Sequence, residues 1–288
     1  DAIANGQKAL VIFDSLIAAN PNNAKYETHK MSALVFMRFP LLDEGRTDQA
    51  IANGRLVVSI MEKQVAADPK NSFAKRSLSV SYNSLAKCLL QAGDAKGAIE
   101  NHQRALKIAE EIAAADPNNG ENSRDVSYTK QALAEAQAAA GDSETALRNF
   151  RDSITTLEAR MKTDSSNTQI KDDLAVCLVA VGKILTSKGG FADAVETFRR
   201  AMSFAEEALQ KNSSNNRVKA RYAANYFEAG KALFKIAQTE RNEKTKVDGC
   251  GFLKRSLTVW NEMKQEGTLS TFNSNRPDEV AKAMVGCS

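Results

Sequence analysis

The stretch NSFAKRSLSVSYNSLAKCLLQAG at Asn71–Gly93, continued by DAKGAIENHQRALKIAEEIAAADPNN at Asp94–Asn119, decides how the rest of the chain is read. In the first arm Leu78, Tyr82, Leu85, Ala86 and Leu89 recur at spacings of three and four, which puts them on one face of a helix. On the return arm Ala98, Ile99, Ala105, Ile108, Ala109 and Ile112 do the same. Gly93 can take the left-handed conformation that ends a helix, and Asp94 can cap the one that follows. The pattern predicts a helical hairpin.

The hairpin is one copy of several. Turns begin at Asn20, Asp68, Asp116, Asp164 and Asn212, each 48 residues after the last. The glycines of the inner turn keep the same step through Gly45, Gly93, Gly141 and Gly189. So does a small residue early in each return arm, at Ala2, Ala50, Ala98, Ala146 and Ala194. Proline after Asp or Asn stops one helix, and the Asn that closes the turn caps the next. The recurrent Ala marks a close helix crossing, where a larger side chain would push the pair apart. A single hairpin cannot bury both its apolar sides, so neighbours must stack. The expected fold is all-α: a right-handed α-α superhelix, or solenoid, of antiparallel helix hairpins.

Composition agrees with that class. Aromatics make up 6% of the 288 residues, and there are only 5 prolines. The formal net charge of +4 is small for this length and argues against a dedicated nucleic-acid binder. No uncharged apolar run approaches the ~18 residues of a membrane helix, so no membrane insertion is expected. No signal peptide is visible. Because Asp1-Ala2-Ile3 already reads as a second arm, the chain is expected to be a piece of a longer protein.

Taken in order, residues 1–19 are an orphan return helix whose apolar edge could support a homo-dimer. Residues 23–67 are a degenerate hairpin in which Pro40 should kink or end the first helix. Residues 71–115, 119–163 and 167–211 are regular hairpins. The last, 217–266, carries an expected inserted loop at 240–249. Residues 278–285 read as a capping helix anchored by Trp260. The whole is expected to form a single solenoid over 1–288.

These residues resemble a tetratricopeptide repeat (TPR) array. Tyr82, Leu85-Ala86, Leu89, Ala98, His102 and Ala105 stand in the family's pattern places, as do Leu178, Val181-Gly182, Leu185, Ala194, Phe198 and Ala201. The usual period is ~34 residues, so each helix here is about two turns longer. The 48-residue step, the Ala-Ala-Asp-Pro turns and the tail RSLTVW…GTLS…PDEVAKAM…C are also similar to the C-terminal repeat region of bacterial serine/threonine kinases. That resemblance implies a kinase domain and a membrane helix upstream, with the repeats then on the extracytoplasmic face. Otherwise a cytoplasmic location is expected.

In the family register the first helices line a concave face. One column there is Phe39, Lys87, Glu135, Lys183 and Lys231. Its neighbour is Val35, Asn83, Gln131, Val179 and Phe227. The lysines would supply charge and the amides of Asn83 and Gln131 would bond a peptide backbone. The alternative is an ordinary solvated face.

No catalytic set, cofactor or metal is expected. His29 has no candidate partner nearby, and His102 stands at a helix-packing position. No Cys or Cys/His spacing fits zinc. Cys88 and Cys177 should be buried thiols. Should the last return helix and the capping helix fold as an antiparallel pair about 267–275, Cys250 and Cys287 would meet, and a disulfide would staple the cap.

The functional expectation is a protein–protein interaction or scaffold module with a protein or peptide partner. Self-association and single-stranded RNA binding are the alternatives. Val35, Val179 and Phe227 in the polar column argue against RNA.

Overall fold

The computed structural model describes residues 2–21, 23–270 and 273–287. Asp1, Asn22, Thr271, Phe272 and Ser288, which the orphan-helix, turn and loop readings touched, lie outside the described residues. The chain is all-helical and divides into two compact units, 1–142 and 143–288.

The first unit holds α1 (Ala2–Ala19), α2 (Ala24–Asp43), α3 (Thr47–Ala67), α4 (Ser72–Gln91), α5 (Ala95–Ala115) and α6 (Gly120–Ala139). The second holds α7 (Ser143–Thr163), α8 (Thr168–Ser187), α9 (Phe191–Lys211), α10 (Asn216–Glu240), α11 (Glu243–Gln265) and α12 (Arg276–Ala283). Within each unit, helices that follow one another in sequence pack together. The division falls at the turn between the two arms of the 119–163 hairpin.

The repeated punctuation is visible as chemistry. The side-chain oxygens of Asn23, Asn71, Asn119, Asn167 and Asn215 each accept from a backbone N–H in the first turn of the helix that follows. Gly45, Gly93, Gly141 and Gly189 all have positive φ, between 71° and 87°. Asp94 Oδ1 accepts from the Gly97 N–H at 2.8 Å. Ala50, Ala98, Ala146 and Ala194 are buried, as close crossings require.

Each unit has its own core. The first is built on Leu34, Met37, Leu41, Leu78, Tyr82, Leu85 and Leu89. The second is built on Phe198, Tyr226, Leu233, Ile236, Leu253 and Trp260. Tyr222 and Tyr226 pack with tilted rings 4.4 Å apart, and Phe252 meets Tyr226 edge-on at 5.0 Å.

Three sequence expectations are corrected. Pro40, expected to kink or end its helix, does not end it: α2 runs on to Asp43. The loop expected at 240–249 is helix, apart from Arg241 in the left-handed conformation and the cap Asn242. The inserted residues are taken up by a first helix of 25 residues instead of the usual 20 and by a later start to α11. Asn242 Oδ1 accepts from the Thr245 N–H at 3.1 Å, and the polar run behind it is a solvated helix surface. The capping helix spans Arg276–Ala283 rather than 278–285, because Pro277 fits the first turn. Pro277 and Val280 are its buried residues, and Val280 shares a core with Trp260. Cys250 and Cys287 are bonded, with their Cα atoms 5.5 Å apart, while Cys88 and Cys177 are buried thiols.

Candidate functional site

The candidate binding face lies on the first helices, and the two units differ sharply there. In the first unit it is apolar. Val35, Phe36 and Phe39 of α2, Val80 of α4 and Tyr128 of α6 are all exposed large apolar side chains, Phe36 to 79%. Single exposed hydrophobics are ordinary, but several on the first helices of one unit give that side an apolar character.

Two cations decorate that side. The Arg38 guanidinium sits 4.3 Å above the Phe39 ring, and Lys87 Nζ lies 4.9 Å from the Tyr128 ring centre and 2.5 Å from its hydroxyl. Among the described residues neither Arg38 nor Lys87 forms an ion pair. Arg38 also reaches toward α4. Burial pushes the Cys88 thiol pKa up, and the Arg38 charge works against that rise. Arg76 ties α4 to α6 through Glu121 at 2.9 Å and Asp125 at 2.7 Å, and these bonds raise its own pKa.

The amides expected to line the face are not on it. Asn83 is 6% exposed and Gln131 is 5% exposed. The Asn83 amide N–H donates to Thr129 Oγ1 at 2.9 Å, and its carbonyl lies 2.8 Å from His102 Nδ1. With the amide turned that way, Nδ1 carries the imidazole proton. His102 is fully buried, and its Nε2 has no partner among the described residues. Burial first, and the Lys87 charge second, lower its pKa to about 4. Asn83 is therefore a core bridge between three helices. His102, where later hairpins have Phe150 and Phe198, supplies the partner for the Asn83 carbonyl.

In the second unit the face is charged and closed on itself. Glu228 accepts from Lys183 at 2.8 Å and from Lys231 at 3.1 Å, so one carboxylate holds two of the expected groove lysines. Burial alone would raise the Glu228 pKa, but the two ammonium groups outweigh it and hold the carboxyl below its usual range. Phe227, another expected contact, is buried beneath Lys231, whose Nζ is 4.3 Å from the ring centre. Arg221 bridges Asp172 at 2.7 Å and Asp173 at 3.2 Å. Glu135 of α6 is exposed, in the first unit.

Phe36 and Tyr128 were not among the expected site residues. A signal existed for Phe36: its equivalents are Ser84, Ala132, Ala180 and Glu228, small or polar. A phenyl ring at a position that packing leaves small is surplus to the core.

His29 stacks on Phe13 with ring centres 5.7 Å apart. Among the described residues there is no cluster of three metal-ligating side chains. None of the described helices is long and apolar enough to cross a membrane.

No family model matches the chain, and no curated protein matches it in sequence. Solved structures do. BtubC (BKLC) from P. vanneervenii is 14% identical with a TM-score of 0.54, covering 84% of this chain and 87% of its own. A putative kinesin light chain from Podospora anserina with nearly identical TPR-like repeats is 14% identical with a TM-score of 0.52, covering 82% and 96%. A Rap protein complexed with Competence and Sporulation Factor is 13% identical with a TM-score of 0.53, covering 99% and 73%. At such identities the likeness is one of fold: a TPR-like array of helical hairpins.

Proposed function

We propose that this chain is a non-catalytic protein-interaction module that docks a partner through the first-helix face of residues 1–142. The partner segment is apolar or aromatic and carries a carboxylate. The observation that carries this reading is the contrast between the faces: exposed Phe36, Phe39, Val80 and Tyr128 with Arg38 and Lys87, which form no ion pair among the described residues, in one unit, and self-neutralised ion pairs in the other. Aromatic rings give contact area, and cations held over them attract an acidic group. The Rap structure, of the same fold, holds a bound factor. The 48-residue step continues across the division at 142, and we read the chain as one repeat array. The finer reading, the C-terminal arm of a bacterial serine/threonine kinase, is supported by the repeat period and the tail motif alone. The reading frame upstream tests it.

A random peptide library panned on the full chain tests the docking face. Selected peptides should combine apolar residues with Asp or Glu. Binding should be lost in Phe36→Glu and Phe39→Glu, weakened in Lys87→Glu, and unchanged in Lys183→Glu/Lys231→Glu. Peptides that bind all four alike would overturn the proposal. A dimer in light scattering that Phe36→Glu dissolves would assign the face to self-association instead.

A further inference from the structure

We infer that the second unit holds a binding site for an organic anion with an apolar body, separate from the docking face and independent of that reading. A cleft of ≈ 450 Å³ opens where the start of α10 and the end of α11 meet Thr268, Ser270, Asn273 and Arg276. That volume falls in the range of about 300–1,000 Å³ typical of small-molecule sites.

The cleft wall is mostly apolar. Ala220 and Ala224 come from α10, and Trp260 and Met263 come from α11. Trp260 and Met263 are buried in the core and so fixed in place. The room exists because Ala224 is small: the equivalent positions of earlier first helices carry Val80, Tyr128 and Val176. An apolar body of a ligand would replace water against Ala220 and Ala224, which are only half-buried.

The charge around the cleft has one sign. Arg217, Arg221 and Arg276 line it, and among the described residues no carboxylate does. Their commitments differ. Arg221 is held by Asp172 and Asp173, and Arg276 pairs at 2.8 Å with Glu279 on its own helix, an exposed pair easily exchanged. Arg217 is exposed and, among the described residues, forms no ion pair. A guanidinium offers a fork of donors matched to a carboxylate or a phosphate. Arg217 and Arg276 are thus the groups that would hold the anionic head, with the tail laid along Ala220 and Ala224. The shared chemistry is a single anionic head on a short acyl or aryl body.

Trp260 is the only tryptophan in the chain, so its emission reports on this cleft. Sodium octanoate titrated into the full chain should change that emission with one-site saturation. Octanamide, the uncharged analogue, should need at least tenfold more ligand. Arg217→Glu and Arg276→Glu should each weaken octanoate at least fivefold. Ala224→Phe should abolish the response while circular dichroism shows an unchanged helical melt. Octyl phosphate serves as the second head group: tighter binding than octanoate identifies a phosphorylated ligand, weaker binding a carboxylate. Equal affinity for octanamide, a response that does not saturate, or indifference to both arginine reversals would overturn the inference.

Discussion

Gly182 and Phe198 face each other across the α8–α9 hairpin so closely that a Cβ built on Gly182 would lie 2.6 Å from the phenyl Cε1. The ring is fully buried and has nowhere to retreat. At the equivalent of this pair the first unit has Ala86 against His102, a smaller ring. In this hairpin the missing Cβ of Gly182 leaves the room that the Phe198 ring fills. Gly182→Ala should destabilise by about 1–3 kcal/mol through overpacking, despite the better helix propensity of alanine. Phe198→Leu in the same chain should recover part of the loss, because it frees the space the methyl needs. Thermal denaturation of both singles and the double checks this. A Gly182→Ala melt equal to that of the parent would refute this.

Gly249 and Gly251 lie two residues apart on α11 and should respond in opposite directions. A Cβ on Gly249 would meet the Phe234 backbone nitrogen at 2.9 Å and the Gly230 carbonyl oxygen at 3.1 Å, whereas nothing lies within 4 Å of one on Gly251. Backbone cannot swing aside as a side chain can, so Gly249→Ala must push α10 and α11 apart. A loss of 2 kcal/mol or more is expected, on the order of a severe overpacking change. Gly251→Ala should gain up to about 1 kcal/mol from helix propensity alone. Urea unfolding of the two variants gives both numbers.

His102 should make the first unit acid-sensitive. Its pKa is lowered to about 4 in the fold, against an ordinary value of 6.5. Between those values the unfolded chain binds the proton and the folded chain does not. Stability should therefore fall as pH drops through that window and level off below it, by at most about 3 kcal/mol. His102→Phe with Asn83→Val installs the pair that α8 and α9 carry as Val179 and Phe198. The double variant should lose this acid dependence. His102→Phe alone should be less stable than the double, because it strands the buried Asn83 carbonyl. Melts at pH 7.5 and pH 4.5 decide it. Equal pH sensitivity in the parent and the double variant would remove His102 as the cause.

The hairpins were legible because their signals are local. An Asn cap, a left-handed glycine and an apolar face each act within a few residues, and helices α4 to α10 begin where the 48-residue step puts them. The face was only half legible, because its chemistry depends on partners far along the chain. Nothing near Asn83 says that His102 will claim its carbonyl and Thr129 its amide. Lys183 loses its freedom to Glu228, a residue from the next first helix. Register could place Val35 and Phe39 on the face but could not say that the amides beside them turn inward. The polar run after Glu240 misled for a different reason: charged residues are as much at home on a solvated helix as in a loop.

The bond between Cys250 and Cys287 should control the last element and little else. It joins the first half of α11 to the segment beyond α12, closing a loop over a separation of 37 residues. Between those points α12 contributes only Pro277 and Val280 to the buried interior. Two side chains are a thin attachment for an eight-residue helix, since isolated helices that short do not persist in water. Reduction, or Cys250→Ser with Cys287→Ser, should raise amide hydrogen exchange across 276–283 by tenfold or more. Amides in α8 and α9 should keep their protection, because their core on Phe198, Ala201 and Ala205 does not depend on the bond. If the whole unit instead unfolds as one body, the chain-entropy cost of opening this loop, about 4 kcal/mol, should appear as a uniform loss of protection. Hydrogen exchange read by mass spectrometry, with and without reductant, separates a local staple from a global one, and the small buried area of α12 argues for the local one.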